Sequence, residues 1–151
     1  MNERDGFLQV VLPRLEEVDT AFHNGDASPR LAMWARHEPV SLFGAALSGV
    51  GRGEVASVFE RVAGGFSDCE SFRYEVIAAD AQGDLGYIVG IEHTTASIRG
   101  APAQAYSLRV TSIFRREDGE WKVVHRHADP VPADAPVRDR LRGGIDERSV
   151  S

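Results

Sequence analysis

The hydrophobic residues of this chain follow two different periods, one in each half. In the first half, apolar side chains recur every three or four positions over residues 7–24, which is the spacing of an amphipathic helix. Pro13 interrupts this segment, so we expect a kink there or a helix that starts nearer Leu12. Similar patterns predict a short second helix over residues 29–34 and a third over residues 54–62.

The segment between the second and third helices is rich in small residues. Residues 40–43 predict a short strand, and the glycine-rich residues 44–53 predict a loop that leads into the third helix. Glycine-rich loops before helices often hold phosphate groups, but the Lys-Ser or Lys-Thr pair and the GxGxxG spacing of such loops are missing here. The sequence therefore gives little support to a phosphate site.

In the second half of the chain, apolar residues alternate with polar ones, as they do in half-buried strands. Four such runs, separated by short turn sequences, span residues 71–79, 85–98, 105–116 and 120–128. Connections this short join neighbouring antiparallel strands. Helices followed by hairpin-linked strands predict an α+β fold, in which three N-terminal helices pack on one face of a mostly antiparallel sheet.

The size of the chain allows one hydrophobic core. It has 151 residues, of which 42% are hydrophobic, and this matches a single domain. We assign this domain to residues 1–130. Residues 131–151 combine prolines and mixed charge with few large apolar side chains, which predicts a mobile C-terminal tail.

Charge and cysteine content exclude several kinds of partner and location. The net charge of −6 opposes binding to nucleic acid and to anionic membranes, because both require clustered lysine and arginine. Cys69 is the single cysteine, so no intrachain disulfide can form, and the N-terminal residues begin neither a signal peptide nor a spanning segment. We therefore expect a cytoplasmic protein.

The C-terminal strands contain a phrase that is typical of one family. Residues 115–130 include the pattern Gly-x-Trp-x-x-x-His-x-His, which closely resembles the last hairpin and strand of SnoaL-like proteins in the nuclear transport factor 2-like superfamily. Residues 34–53 resemble the second helix, the first strand and the approach to the third helix of the same family. The resemblance covers about residues 7–130, and it implies a cone-shaped fold in which a strongly curved sheet surrounds an internal apolar pocket.

This resemblance implies a fold more strongly than a function. The superfamily includes ketosteroid isomerase, scytalone dehydratase, polyketide cyclases, limonene epoxide hydrolase and the association domain of calmodulin-dependent kinase. In ketosteroid isomerase the proton-shuttling carboxylate lies at the end of the first strand, and Phe43 occupies the corresponding place here. Isomerase chemistry would therefore need another base, such as Glu38 or His93.

The alternation of side chains along each strand decides which of them can line the pocket. In residues 85–95 the odd-numbered set is the more apolar, so we expect Tyr87 and His93 to face the helices. In the next strand the even-numbered set, which includes Tyr106 and Ser112, is the apolar one. The last strand is ambiguous by composition, and its resemblance to ketosteroid isomerase implies that Arg126 points inward.

These assignments predict a ligand pocket lined by Trp34, Phe43, Tyr87, His93, Tyr106, Ser112 and Arg126. A guanidinium that faces an apolar pocket needs a counter-charge from a protein carboxylate or a ligand anion, or water at the mouth of the pocket. His93 is the candidate general base, because histidine changes charge near neutral pH. A neutral core histidine with one hydrogen-bond partner is the structural alternative.

The opposite face of the sheet then gathers Glu92, Arg109, His125 and His127, together with Trp121. Mixed polar and aromatic surfaces are typical of interfaces, so we expect a homodimer joined sheet to sheet. The same group is an alternative polar site if the faces are reversed. His125 and His127 share a face, as paired metal ligands do, but no third ligand follows at a standard spacing, and we expect neither a metal nor another cofactor.

Three functions remain open at this stage. The favoured one is a small-molecule binding protein with an apolar pocket for an aromatic or polycyclic ligand, whose acidic group, where present, would meet Arg126. The second is a cofactor-independent isomerase, cyclase or hydrolase-like enzyme that acts on a polyketide or steroid-like substrate through His93 and Arg126. The third is an oligomeric assembly module, similar to the kinase association domain.

Overall fold

The computed structural model describes residues 2–131, which form three helices and a six-stranded sheet that curves around them. The elements, in chain order, are α1 (Glu3–Phe22), α2 (Ser28–Met33), β1 (Ser41–Phe43), β2 (Ser48–Val50), α3 (Arg52–Ala63), β3 (Phe66–Gln82), β4 (Leu85–Ile98), β5 (Gln104–Glu117) and β6 (Glu120–Pro130). The predicted α+β class, with its helices before its long strands, is confirmed. The predicted tail lies outside the described residues, apart from Val131.

The sheet is open and mostly antiparallel, with the strand order β2-β1-β6-β5-β4-β3. The four long strands form the predicted meander, and β1 joins it by pairing parallel to β6. The strand β2 falls inside the segment that was expected to be a loop, and it pairs with β1 in register Leu42 to Gly49. We call the helix-covered side of the sheet the inner face and the other side the outer face.

Helix α1 begins earlier than either alternative for Pro13 allowed. The side chain of Asn2 caps it by accepting a hydrogen bond from the amide of Asp5 at 2.8 Å, and the helix then continues through Pro13 to Phe22. A proline in a helix leaves the carbonyl four residues earlier without its usual donor. That carbonyl belongs to Gln9, and both residues are exposed, so water can hydrate it.

The core lies between the three helices and the inner face. Phe7 packs edge-on against Phe114 and Trp121, with ring centroids 5.2 and 4.9 Å apart. Its ring also lies over Gly86, where a Cβ atom would come within 3.0 Å of it. A glycine at this position of β4 therefore makes room for the helix.

The predicted inner face of β4 is wrong. The buried residues are the even-numbered ones, which include Gly90 and Glu92, and Tyr87 and His93 consequently lie on the outer face. Apolar composition was misleading because a glycine adds nothing to the apolar count of its face, although it can lie in the core. Gly90, for example, leaves the space that the ring of Tyr74 fills. Glu92 is buried because its charge is compensated, as described below.

The last strand owes its ambiguity to a β-bulge at Val124. Ile113 pairs with His125 and Phe114 with Val123, so Val124 is an extra residue that reverses the alternation of β6. As a result Trp121 and Val123 are buried before the bulge, and Arg126 and Ala128 are buried after it. The implied inward position of Arg126 agrees with this, and the predicted outward position of Trp121 is wrong.

None of the helices within residues 2–131 combines the length and the apolar character that crossing a membrane would require.

Candidate functional site

A cavity of about 280 Å³ lies between the inner face and the helices, near the C-terminal end of α1. Apolar groups form most of its wall, and residues 44–47 of the β1–β2 connection, three of which are small, form one side of it. The apolar side chains come from all layers of the fold: Phe22, Leu42, Val58, Phe59, Val62, Phe66, Leu108 and Ala128. An apolar hollow with a few convergent polar groups is the usual form of a small-molecule site.

Arg126 and Glu92 form a buried ion pair in the wall of this cavity. The guanidinium donates two parallel hydrogen bonds to the carboxylate, Nη1 to Oε2 at 2.6 Å and Nη2 to Oε1 at 2.9 Å. Burial alone would raise the pKa of Glu92, but Arg126 more than offsets this and holds the pKa of the carboxyl below its ordinary value. Both groups are therefore charged at neutral pH, and each compensates the other.

A second buried ion pair joins the first two helices. Arg30 of α2 donates to the carboxylate of Asp19 in α1, and its guanidinium carbon lies 3.5 Å from the ring centroid of Phe22. Burial raises the pKa of Asp19, although Arg30 acts in the opposite direction. The carboxylate of Asp19 thus compensates the charge of Arg30, as Glu92 compensates that of Arg126.

His23 and Tyr106 supply a neutral polar pair at the same cavity. The Nδ1 atom of His23 lies 2.7 Å from the backbone carbonyl oxygen of Asp19, which can only accept, so Nδ1 carries a proton. Burial lowers the pKa of His23 to about 4, and the ring is neutral at pH 7. Its Nε2 atom is then an acceptor, and the hydroxyl of Tyr106 donates to it.

One buried polar atom near the Glu92–Arg126 pair is not paired. The hydroxyl of Tyr74 has no hydrogen-bond partner within the part of the chain that the structure describes. Burial, and then the negative charge of Glu92, raise the pKa of this hydroxyl, so it stays protonated. It does not belong to the cavity wall, and we assign it no role.

Two of the predicted pocket residues, Tyr106 and Arg126, lie at the cavity. Trp34 is instead buried in the core against Phe59, with ring centroids 5.1 Å apart, and Ser112 is buried opposite Arg126 in the β5–β6 register. Neither residue lines the cavity.

Phe43 and Tyr87 lie on the outer face, contrary to the prediction. Phe43 packs between the rings of His125 and His127, at centroid distances of 5.3 and 5.5 Å, and Leu42 takes the inward position beside it. Tyr87 is 43% exposed. Both errors follow from strand parity, because a shift of one residue moves a side chain to the opposite face.

His93 is also on the outer face, so its predicted position in the pocket is wrong. Its Nδ1 atom lies 2.8 Å from Ser107 Oγ, and its Nε2 atom lies 2.9 Å from Glu75 Oε1. This row resembles the order of a hydrolytic triad, which the sequence did not reveal. The three residues are neighbours across β3, β4 and β5, whose backbone amides are engaged in the sheet. No oxyanion site is therefore formed beside Ser107 in the described residues.

The polar set that was predicted as a dimer face or alternative site is divided between the two faces. Glu92 lies inside, whereas Arg109, His125 and His127 lie outside. Arg109 forms a two-bond ion pair with Asp129 on the exposed surface. The Nδ1 atom of His125 lies 2.7 Å from the hydroxyl oxygen of Ser41.

Two further acidic groups have structural partners. Glu38, the other candidate base, accepts hydrogen bonds from the amides of Val40 and Arg52 at 2.9 Å, and so caps the start of α3. Glu117 lies near His37 and Asp118 in a group compatible with metal binding, but it already accepts from the amides of Arg36 and His37 at 2.8 and 3.1 Å. We assign neither group a chemical role.

Three residues at or beside the cavity were not predicted from the sequence: Asp19, His23 and Arg30. A signal for Asp19 existed, because it follows Leu15 by four residues and so lies on the buried stripe of α1. A charged residue on such a stripe predicts a buried partner of opposite charge. His23 stands four residues after Asp19, again on the same side of the helix.

Comparison with known proteins identifies the family. The sequence profile of the SnoaL-like domain matches residues 11–134, so the chain belongs to the SnoaL-like family. The predicted resemblance is thereby confirmed. No curated protein matches the chain.

Several solved structures share the fold. A candidate dehydratase of the NTF2-like family from Streptomyces avermitilis is 22% identical, with a TM-score of 0.67, over 85% of this chain and 99% of that one. An uncharacterised protein with a cystatin-like fold from Caulobacter vibrioides is 16% identical, with a TM-score of 0.66, over 93% and 98% of the two chains. A candidate ketosteroid isomerase from Parabacteroides distasonis is 13% identical, with a TM-score of 0.63, over 82% and 86%. Identities this low establish the fold and not the activity.

Proposed function

We propose that this protein binds a small, neutral, largely apolar organic molecule in the cavity between the inner face and the helices. The supporting observation is an apolar wall that encloses about 280 Å³ while every ionised group on it is paired. This volume lies near the lower end of the roughly 300–1,000 Å³ that ligand pockets occupy. It favours a compound of one or two rings over a larger polycyclic one.

The charge balance of the cavity opposes an acidic ligand. Glu92 already holds Arg126 through two short hydrogen bonds, and both side chains are buried. A ligand carboxylate would have to displace Glu92 and would leave that charge buried without a partner, which is costly. A neutral molecule meets no such penalty, because it leaves both ion pairs intact.

The same geometry favours binding over turnover. The corresponding position of the isomerase base is Phe43, which faces outward, and the candidate base His93 lies on the outer face. His23 remains as the histidine of the cavity, and its pKa of about 4 makes it a weak base at neutral pH. An enzyme that used this cavity would have to work through His23 and Tyr106.

A cavity-filling substitution tests the proposal. Val58 of α3 lines the cavity and is partly buried, so Val58→Phe would occupy the space that a ligand needs. Indane is the probe in isothermal titration calorimetry. We expect Val58→Phe to weaken its binding by at least about tenfold, because the larger side chain occupies space in which indane would bury apolar surface. The matched control is Val10→Phe on the exposed side of α1, which should bind as the unmodified protein does. Equal binding by Val58→Phe would place the site elsewhere.

We also propose that the outer face pairs with a second copy of this chain. Large apolar side chains are exposed there, among them Ile77, Leu85, Tyr87 and Ile113. Charges of both signs, Arg109 and Asp129, lie on the same face and can meet their counterparts across a two-fold axis. A monomer would leave this apolar surface in water.

Sedimentation equilibrium tests the pairing of outer faces. We expect the unmodified chain to sediment as a dimer and Ile113→Lys as a monomer, because a charge would be buried in the interface. Val10→Lys on α1 serves as the control and should remain dimeric. A monomeric unmodified protein would contradict the proposal.

A further inference from the structure

The His23–Tyr106 pair gives the cavity a polar contact of fixed direction. We infer from it that the ligand carries a hydrogen-bond donor, such as an alcohol hydroxyl, at this point. The inference rests on the proposed function, because it concerns a molecule in the same cavity.

The direction of the contact follows from three linked hydrogen-bonding groups. The carbonyl oxygen of Asp19 can only accept, so the proton of His23 is on Nδ1, 2.7 Å away. In the neutral ring Nε2 is then an acceptor, and the phenolic proton of Tyr106 is directed to it. A hydroxyl has one proton and two lone pairs. Once its proton is engaged with His23, Tyr106 can only accept from a ligand.

The ion pairs do not provide an equivalent contact. Glu92 accepts two hydrogen bonds from Arg126, and Asp19 accepts from Arg30, so neither carboxylate is free to receive a ligand donor without weakening its pair. Arg126 can offer only donors, because a guanidinium has no acceptor. Among the polar side chains that line this cavity, Tyr106 offers an oxygen that is neither charged nor shared with an arginine.

The test compares three two-ring compounds that differ at one position: 1-indanol, 1-indanone and indane. The alcohol can donate to Tyr106, the ketone can only accept, and the hydrocarbon can do neither. In calorimetric titrations, we expect the double variant Tyr106→Phe, His23→Leu to lower the affinity ratio of indanol to indanone by about tenfold, since the alcohol loses Tyr106 and also the Nε2 atom of His23 that Tyr106→Phe alone would free, whereas the ketone loses nothing. The affinity for indane should change little.

A second variant separates this role from a merely structural one. His23→Leu removes the acceptor that holds the phenolic proton, so Tyr106 becomes able to donate to the ligand. We expect the ketone to gain affinity in this variant and the ratio of indanol to indanone to fall, although Tyr106 is still present. Tyr87→Phe removes a phenolic hydroxyl from the outer face and should leave the ratio unchanged. Near-ultraviolet circular dichroism would verify that each variant is folded.

A failure of the donor requirement can be distinguished from a failure of ligand binding in the cavity. An unchanged ratio in the double variant Tyr106→Phe, His23→Leu, with indane still bound, would overturn the donor requirement and leave the cavity as a binding site. A ketone that gains nothing in His23→Leu would overturn the assigned direction of the Tyr106 proton. If none of the three compounds bound to the unmodified protein, the proposed function would fall and the inference with it.

Discussion

Each face of the sheet carries an arginine that grips a carboxylate through two hydrogen bonds, and the two pairs differ mainly in their surroundings. On the inner face Arg126 and Glu92 have side chains that are 10% and 2% exposed. On the outer face Arg109 and Asp129 are joined at 2.9 and 3.1 Å, and their side chains are 52% and 46% exposed. The two ion pairs therefore have nearly the same hydrogen-bond geometry, but they differ in their exposure to solvent.

The hydrogen bonds of an ion pair do not by themselves determine how much its loss would destabilise the fold. In water the loss of one partner is largely compensated by solvation, whereas in the interior the remaining charge has no such compensation. The histidines follow the same division. His23 is buried and neutral between Asp19 and Tyr106, while His93 lies among Ser107 and Glu75 at the surface.

The largest expected effect is the loss of the inner arginine. Arg126→Met should lower the free energy of unfolding by about 3–5 kcal/mol, because Glu92 is left buried without its counter-charge. Urea denaturation at pH 7 measures this. The double variant Arg126→Met, Glu92→Leu should recover most of the loss, since it removes both charges together. A double variant no more stable than Arg126→Met would show that the pair acts in some other way.

An intermediate effect is expected when His23 is protonated. Its pKa is lowered to about 4 in the folded state from an ordinary value of 6.5, so the unfolded chain binds the additional proton between these values. Stability from this group is present above pH 6.5 and is lost as the pH falls towards 4. At about 1.4 kcal/mol for each pKa unit, the loss amounts to roughly 3 kcal/mol.

The measurement for His23 is the free energy of unfolding at pH 7 and at pH 4.5 in the unmodified protein and in His23→Leu. The variant should lose less stability over this interval, since it lacks the titrating ring. An identical loss in both proteins would assign the pH dependence to the carboxylates instead.

The smallest effect is expected at the outer pair. Arg109→Met removes a two-bond ion pair, as Arg126→Met does. It should nevertheless lower the free energy of unfolding by less than about 1 kcal/mol, since water solvates Asp129. Raising the salt concentration should reduce the difference further, whereas the cost of Arg126→Met should hardly change. A loss at Arg109 equal to that at Arg126 would contradict the distinction between the faces.

The order of the elements was predictable because it depends on periodicity. The three-and-four spacing in α1 and the alternation in the long strands each correspond to the predicted type of element in the structure. The turns at residues 82–84, 99–102 and 117–119 lie between the strands as expected. Element boundaries were less accurate, and β3 begins at Phe66, five residues before the predicted start. The bulges of β3 break the alternation in that region.

The site was harder to predict because it depends on strand parity and on contacts distant in sequence. Composition placed the β5 residues correctly, failed at β4 where Gly86 and Gly90 accommodate aromatic rings, and was ambiguous at β6 because of the bulge. No pattern in a single sequence reveals that Glu92 meets Arg126 across 34 residues. Family resemblance placed Arg126 inward where alternation could not.

The bulge at Val124 also divides β6 into two parts that make different contacts. Before it, Trp121 and Val123 hold α1 and α2 against the sheet, and after it, Arg126, Ala128 and Pro130 shape the cavity. Substitutions at Ala128 or Pro130 can thus alter which molecule fits while the anchoring half stays unchanged. If the cavity binds the proposed ligand, its selectivity can change through this half of the strand without loss of the contacts that hold the helices.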